Sequence, residues 1–444
     1  MPTAALKKKG PVSMKDLREI WPILVPDERF DGFRAVNRSH VESFFLSLRA
    51  EDQLDILIRL PETERRFWTR FLPVDAVADI IQTTASPEQR EEVLRLLDDQ
   101  SHREVISLLA YAEDAAGGLM NPEFIRLRPD MEIDEAITYV KKQTRDHLRS
   151  VFYLYVLDSS QKLLGVLPFR DLLSATPDKK VHEIMRGELV TAKETMDQEE
   201  IGQLFRQHSF LAIPVVDDNG VMKGIVTADK ALKVAEEEAT EDIQKMGGTE
   251  VLDSPYFETG FFKMIRKRGG WLTLLFAGEM LTASAMGFFE NEISKAVVLV
   301  LFIPLIISSG GNCGSQASTL VIRAMALKEV RLRDWLKVFG REIGSGLALG
   351  GILATLGWMR IAFWPTSKSI YGEHYMLIAA TVAVSLVGVV MWGTIMGSML
   401  PFVLRRAGFD PASASAPFVA TIVDVTGLVI YFSAAKIILG GALL

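Results

Sequence analysis

Five long apolar stretches in the second half of the chain constrain its fold more than any other feature. A helix needs about 20 apolar residues to cross the hydrocarbon core of a bilayer, which is about 30 Å thick. Stretches of this kind are Trp271–Phe289, Lys295–Ala326, Ile343–Phe363, Tyr375–Leu404 and Pro417–Leu439. The sequence therefore predicts five membrane-spanning helices rather than the buried helices of a large soluble protein.

Basic residues are unevenly distributed among the loops that join these stretches. They gather before the first stretch, between the second and third, and between the fourth and fifth, as with Arg266, Arg331 and Arg405. Cytoplasmic loops carry the excess of lysine and arginine. We therefore expect a multi-pass protein of the cell (inner) membrane, in contact with lipid, with its N-terminal half in the cytoplasm and its C-terminus outside.

The part of the chain before the first stretch is acidic. Of 49 Lys/Arg and 56 Asp/Glu, only 12 and 9 follow Gly270, so the front has a net charge of −10 and the back of +3. An acidic surface disfavours nucleic acid as a partner and favours cations. The single cysteine, Cys313, excludes an intramolecular disulfide and a Cys-rich metal site.

A repeated pattern lies in the acidic half. Residues 119–125 resemble residues 184–190, and two short apolar runs end at Asp158 and Asp217, each followed seven residues later by a glycine, Gly165 and Gly224. This order predicts a β-α-β-β-α unit that occurs twice. The pattern resembles a tandem pair of CBS domains. The residues before it, from 14 to about 115, are predicted to be wholly helical.

Two polar features stand within the apolar stretches. Asp424 lies in the last one, where an ionised carboxylate costs about 3 kcal/mol or more. It predicts a cation site, or else a carboxyl that is protonated or bonded to a polar neighbour. Segment Ser308–Ser318 interrupts the second stretch with glycines and polar residues, which predicts irregular backbone beside a cavity or close helix packing. Glu279 also lies mid-span, and its apolar neighbours in sequence leave its role open.

Together these features resemble the MgtE family of magnesium channels/transporters, from about Ala115 to the C-terminus. Ser308–Ser318, the residues around Asp424, segment Glu238–Ile243 and the repeat carry the resemblance. It implies a multidomain membrane protein that forms a homodimer. Its parts would be an all-α N-terminal domain (1–114), α/β tandem CBS domains (115–235), a connecting plug helix (236–270) and a five-helix transmembrane pore domain (271–444).

The resemblance implies Mg²⁺ transport by an ion channel with a water-filled pore between the subunits. The pore would contain Asp424 and be lined by Gly310, Gly311, Asn312, Ser315 and Gln316. Mg²⁺ is usually held by one or two carboxylates and retained waters. The absence of Cys or His beside Asp424 favours a hard ion, and Co²⁺ or Mn²⁺ in the same architecture is the alternative.

An enzyme is not expected. The sequence lacks a P-loop lysine motif, an HExxH motif and a catalytic-triad signature. An aspartyl intramembrane protease would need a second aspartate within the membrane. A passive membrane anchor for a nucleotide sensor would not need Asp424.

The resemblance also implies regulation by intracellular Mg²⁺, which would close the channel by binding the acidic cytoplasmic domains. The matching ligands are Asp197, Glu199, Glu238, Glu241 and Asp242. From the residues alone, such acidic runs more often indicate a solvated helix face. Lys230 and Lys233 stand where family members can carry two further acids, so we expect weaker or differently distributed Mg²⁺ inhibition.

Adenine nucleotide (ATP) is a second expected regulator, because CBS pairs often hold it between the repeats. The family pattern matches Tyr153, Arg170, Asp171 and Phe210. An aromatic ring can stack on the base, Asp171 can accept hydrogen bonds from ribose hydroxyls, and Arg170 can neutralise phosphate. The alternative is that Phe210 belongs to the core and that Arg170 and Asp171 form a surface pair.

Overall fold

The computed structural model describes residues 14–37, 40–84, 86–146 (144–146 as backbone only), 152–252 and 254–442. The first 13 residues of the predicted N-terminal domain lie outside these ranges. The chain divides into two compact units, Met1–Glu238 and Ala239–Leu444. The predicted fold class is confirmed by a helical N-terminal part, a tandem α/β repeat and five long apolar helices.

The described residues of the N-terminal part are helical, as predicted. Ser86 caps α7 by accepting a hydrogen bond from the backbone N–H of Gln89 at 3.5 Å, and Pro87 occupies the first helical position. The core contains Phe44, Phe45 and Trp68. The helices are α1 (Met14–Ile20), α2 (Pro26–Ala35), α3 (Val41–Leu46), α4 (Ala50–Arg59), α5 (Glu62–Phe71), α6 (Val74–Thr83), α7 (Pro87–Arg95) and α8 (Asp99–Leu108).

Asp75 on α6 is the basis of a pH-dependence prediction. The Oδ1 atom of its side chain is buried and accepts no hydrogen bond. Burial raises the pKa of Asp75 to about 6. The positive charge of Lys230 lowers this pKa, and the negative charge of Asp79 raises it further. The folded chain therefore binds this proton more tightly than the unfolded chain, and stability falls as the pH rises from about 4 to above 6.

We expect Asp75→Asn to remove this dependence. At pH 8 the variant should be more stable than the native protein by up to about 3 kcal/mol, and at pH 5 by about half as much, because the difference vanishes only below about pH 4. Pulse proteolysis of the purified protein at the two pH values measures the difference. Asp31→Asn, on the exposed face of α2, serves as the control. Equal stabilisation at both pH values would contradict the prediction.

The repeat forms two three-stranded sheets with the same topology. Within each sheet the first two strands are parallel and the last two antiparallel, in the orders β1-β2-β3 and β4-β5-β6. The elements are α9 (Ala116–Leu119), β1 (Arg126–Leu127), α10 (Ile133–Asp146), β2 (Tyr153–Leu157), β3 (Leu163–Pro168), α11 (Phe169–Ser174), α12 (Val181–Ile184), β4 (Ala192–Lys193), α13 (Gln198–His208), β5 (Ala212–Val216) and β6 (Met222–Thr227).

The methionine and glycine of the repeated motif make contact between the repeats. A Cβ on Gly165 would lie 2.5 Å from Sδ of Met185, and one on Gly224 would lie 2.9 Å from Sδ of Met120. The methionine that opens each repeat therefore packs on the glycine of the other. A Cβ on Gly165 would require the side chain of Met185 to move, and one on Gly224 would also meet the carbonyl oxygen of Asn121 at 2.7 Å, which explains why both glycines recur at one spacing.

A single helix, α14 (Ala228–Met246), follows the repeat and continues across the division between the two units. The connecting helix thus begins eight residues before the predicted boundary at 236, because 228–246 contains no glycine or proline that would end it. It stops at Gly247-Gly248, where Gly248 has φ of +71°.

The second unit contains five helices long and apolar enough to cross a membrane, as predicted. The first begins at Phe261, ten residues before the predicted start, because residues 263–268, four of which are basic, belong to the helix. The helices are α15 (Phe261–Phe288), α16 (Glu290–Lys295), α17 (Ile303–Ala326, preceded by the 3₁₀ segment Val297–Phe302), α18 (Trp335–Ala362), α19 (Ser367–Tyr371), α20 (Tyr375–Arg406) and α21 (Ala416–Leu439).

The expected interruption in the second apolar stretch is wrong, because residues 303–326 form one continuous helix. Gly310 and Gly314 of α17 pack directly on Gly393 and Gly397 of α20. A Cβ on Gly393 or Gly397 would collide with the carbonyl oxygen of Gly310 or Gly314, respectively. The glycines therefore serve close packing of two helices, which was the alternative prediction.

Candidate functional site

Asp424 lies near the middle of α21, and its side chain is partly buried. The polar segment of α17 approaches it at Gly311. A Cβ on Gly311 would lie 3.5 Å from Cβ of Ala420 and 3.9 Å from Oδ1 of Asp424. The lack of a side chain at Gly311 thus leaves space directly beside the carboxylate.

Glu279 of α15 is a hydrogen-bond partner of Asp424. Helix α15 approaches α21 at this level because Gly278 leaves room for Thr421, whose Cγ2 would lie 2.6 Å from a Cβ on Gly278. Ionised carboxylates only accept hydrogen bonds. Two such groups can face each other only if they share a proton or have a cation between them.

Sequence reasoning left Glu279 unassigned, because no cluster of polar residues surrounds it along the chain. Its nearest polar neighbour is Thr282, whose Oγ1 donates to Oε2 of Glu279 at 3.5 Å. The glycine that precedes Glu279 was the available signal, since small residues mark close helix approach.

A polar stripe on α17 is exposed in the single chain. Its members Ser308, Asn312 and Gln316 recur every four residues, and Nδ2 of Asn312 donates to Oγ of Ser308 at 3.4 Å. Exposed polar side chains in an apolar span need water or another protein surface. The stripe therefore marks a face of α17 that is unsuited to lipid.

The other predicted pore-lining residues lie elsewhere on α17. Gly310 is buried against Val389 of α20 in the single chain. Oγ of Ser315 donates to the carbonyl oxygen of Ala416 at 3.2 Å, which joins α17 to the start of α21. Gly311, Asn312 and Gln316 thus remain as the residues next to Asp424 or on the exposed stripe.

Three of the predicted regulatory acids lie around the start of α13. Asp197 caps the helix by accepting a hydrogen bond from the backbone N–H of Glu199 at 2.8 Å. The neighbouring side chain, Gln198 Nε2, donates to Oε1 of Glu238 on α14. No group of three or more His, Cys, Asp or Glu residues within the described ranges is placed to hold a metal ion. Glu241 and Asp242, the other two predicted ligands, lie further along α14.

Lys245 joins the end of α14 to the loop between α20 and α21. Its Nζ lies 2.6 Å from Oδ2 of Asp410 and also pairs with Glu241. Partial burial lowers the pKa of Lys245, but hydrogen bonds to Asp410 and Glu241 outweigh this and raise it, so the ammonium stays charged. The neighbouring Met246 packs on a cluster that contains Ile322, Ala412 and Ala414. The sequence did not indicate that Asp410 pairs with Lys245, because the residues around Asp410 form no pattern that identifies a distant partner.

The predicted nucleotide ligands have protein neighbours. Oδ2 of Asp171 accepts a hydrogen bond from Arg186 at 2.8 Å, and Nε of Arg170 lies 3.6 Å from Oδ1. Phe210 stacks on His208, with ring centroids 5.4 Å apart. Tyr153 packs on the cluster of Phe124, Tyr155, Leu157 and Met222. Arg186 is thus an additional cation at the carboxylate expected to contact ribose.

Three family models match the chain along its length. Residues 12–114 match the MgtE intracellular N domain, residues 116–178 and 181–237 match the CBS domain, and residues 303–434 match the family described as a divalent cation transporter, MgtE. Asp424 lies inside the last match and Glu279 lies outside it.

Whole-length relatives support the same grouping. A magnesium transporter MgtE from Thermus thermophilus is 37% identical over 427 residues, which cover 96% of this chain and 93% of the relative. One from Bacillus subtilis is 30% identical, with 95% and 94% covered. Among solved structures, the cytosolic domain of the Mg²⁺ channel MgtE in complex with ATP is 32% identical, covers 52% of this chain and 92% of its own, and has a TM-score of 0.46. The chain belongs to the MgtE family of divalent cation transporters.

Proposed function

We propose that the chain conducts Mg²⁺ across the cell membrane, through a water-filled pore between two subunits, with Asp424 as the ion's principal ligand. The observation that carries the proposal is the contact of Asp424 with Glu279 in an apolar region, beside the exposed polar stripe of α17. The whole-length relatives are named magnesium transporters, which agrees with it.

The chemistry of these groups suits Mg²⁺. The ion gives up its waters reluctantly and takes few protein ligands, usually one or two carboxylates. Asp424 and Glu279 supply two carboxyls, and the space at Gly311 admits a water shell. We therefore assign Glu279 as a second acidic group of the same ion path. The membrane potential would drive entry with about 4.6 kcal/mol for a divalent ion at 100 mV.

A second copy of the chain would complete the pore. The stripe of Ser308, Asn312 and Gln316 is exposed in one chain and needs water or protein opposite it. In a homodimer with this stripe at the subunit boundary, two copies of Asp424 would face one path. The same arrangement puts the C-terminus on the outer side, because five spans separate it from a cytoplasmic N-terminal part.

Mg²⁺ influx into dye-loaded proteoliposomes tests the transported ion. Under an inward-negative potential, the native protein should admit Mg²⁺ faster than empty vesicles do. The alternative is that Co²⁺ or Mn²⁺ is the cargo. We expect preference for Mg²⁺, since soft or nitrogen ligands are absent around Asp424 in sequence. Preference for Co²⁺ or Mn²⁺ over Mg²⁺ at equal concentration would instead favour the alternative.

Gating would act through α14. Intracellular Mg²⁺ bound by acidic groups such as Asp197, Glu199, Glu238, Glu241 and Asp242 would favour the closed state, because it binds that state better. Lys245 and Asp410 would hold the end of the helix on the membrane unit.

ATP, held by Tyr153, Arg170, Asp171 and Phe210, would be a second regulator. ATP binding to the whole protein tests this, and we expect it to be weaker in Phe210→Ala.

Lys245→Gln is expected to weaken closure. The variant removes the charge that joins Glu241 and Asp410, so inhibition by internal Mg²⁺ should need a several-fold higher concentration. Influx at graded internal Mg²⁺ measures the shift. Lys337→Gln, a change at an exposed lysine of α18, is the matched control. Unchanged inhibition in Lys245→Gln would remove this contact from the gating mechanism.

A further inference from the structure

A buried ammonium group lies where α14 meets the helical N-terminal part. Nζ of Lys230 is paired with Oδ2 of Asp79 on α6, and the two side chains are only 12% and 23% exposed. Asp75 lies one turn before Asp79 on the same helix, and its buried Oδ1 has no hydrogen-bond partner. One cation therefore faces two carboxyls of a neighbouring helix.

The helix that carries Lys230 adds more acid to this contact. The negative charge of Asp229 raises the pKa of Asp75, and the negative charge of Glu237 raises the pKa of Lys230. Nζ of Lys233 lies 3.8 Å from Oε1 of Glu237, so Lys233 pairs with Glu237. The negative charge of Glu51 also acts on Glu237. Lys230 is thus the cation that directly opposes Asp75 and Asp79. Without it, α6 and α14 would bring like charges together in a partly buried place.

The charge of Lys230 is stable in this setting. Burial lowers its pKa, but the charges of Asp79 and Asp75 outweigh burial and raise it. The ammonium therefore persists across the physiological pH range. The same contact has an apolar part, because Val234 of α14 belongs to the buried cluster that includes Val77, Ile80 and Ile81 of α6.

We propose that Lys230 acts as a built-in cation that holds α14 on α6, so that this contact persists when divalent ions are removed. An ammonium on the chain cannot dissociate, whereas a bound metal ion leaves when its concentration falls. The significance of the contact for gating rests on the proposed function. The contact itself is independent of transport.

If Lys230 acts in this way, two kinds of contact stabilise the closed state. Contacts that need Mg²⁺ would open when the ion is lost. The contact between α6 and α14 would remain, and the helical N-terminal part would stay attached to α14. Removal of the charge should convert this contact into one that responds to a divalent ion, since Asp75, Asp79 and Glu237 would then face each other without Lys230.

Amide hydrogen exchange of the full-length protein in detergent micelles tests the inference. Peptides from α6 are compared in EDTA and in millimolar Mg²⁺. The native protein should protect α6 equally in both conditions. Lys230→Gln should lose about tenfold protection of α6 in EDTA, equivalent to about 1.4 kcal/mol, and should regain part of it in Mg²⁺. Lys233→Gln should behave like the native protein.

Two results would overturn the inference: undiminished protection of α6 in Lys230→Gln in EDTA, or loss of native protection in EDTA. A charge exchange, Asp79→Lys with Lys230→Asp, separates the ion pair from general damage, because it should restore protection in EDTA. Protection of peptides from β2 and β3, whose buried cluster of Leu154, Val156 and Leu167 contains no residue of α6, shows that each variant is folded. A protein that moves no Mg²⁺ would leave these outcomes unchanged, so failure of the proposed function is distinguishable.

Discussion

Asp424→Asn is expected to reduce Mg²⁺ influx into proteoliposomes to the level of empty vesicles, while the protein remains folded. Asparagine keeps the size of the side chain and can still bond to Glu279, but it removes the negative charge. At an effective dielectric constant of about 20, one charge attracts another with about 4 kcal/mol at 4 Å, and a divalent ion gains twice as much. Loss of even part of that attraction lowers site occupancy by about two orders of magnitude or more.

Two other variants show whether the loss of Mg²⁺ influx in Asp424→Asn is specific to this carboxylate. Glu279→Gln should reduce influx less than Asp424→Asn, because Glu279 contributes the second carboxyl rather than the principal one. Glu373→Gln, at an exposed residue beyond the spans, should leave influx unchanged. Native influx in Asp424→Asn would place the ion path elsewhere, along the Gly310–Ser318 segment.

Gly397→Ala is expected to prevent assembly of the membrane unit. The new methyl group would meet the carbonyl oxygen of Gly314, and neither backbone can yield unless α17 and α20 separate. Overpacking of a flexible core typically costs about 1–3 kcal/mol. A collision with backbone should cost more, because no rotamer relieves it. We expect little folded protein in size-exclusion chromatography and a lowered thermal unfolding midpoint in detergent.

Gly351→Ala on α18 is the matched control. It is the same change in a membrane helix, but a Cβ there meets no atom within 4 Å. Because alanine is a better helix former than glycine, this variant should be at least as stable as the native protein. If both variants melt at the same temperature, close approach of α17 and α20 does not limit stability.

The sequence was informative wherever the signal is local. The length of the apolar stretches predicted the five membrane helices, and the repeated spacing predicted two equivalent β-α-β-β-α units. Helix ends were less predictable. The connecting helix and the first membrane helix both began earlier than expected, because charged residues continue a helix as readily as apolar ones. In the first membrane helix the basic residues are followed by Gly269 and Gly270, which the helix includes.

Contacts between distant parts of the chain could not be predicted. Glu279 and Asp424 meet across two helices, and no periodicity in either helix indicates the other. Lys230 and Asp79, like Lys245 and Asp410, are paired by tertiary packing alone. Segment Ser308–Ser318 was misread for a related reason. Its composition suggested a break, but the helical period separates its glycines and its polar side chains onto different faces.

The crossing of Gly310 and Gly314 with Gly393 and Gly397 also limits how this part of the protein can move. Helices whose backbones touch through glycine cannot slide or roll past each other without a steric collision, so α17 and α20 behave as one rigid body. Within the described chain, half of the residues in the most apolar part of α20 are buried, whereas none of those in the most apolar part of α15 are buried. The freedom to rearrange around Asp424 therefore belongs to α15. A motion of that helix would carry Glu279 toward or away from the ion.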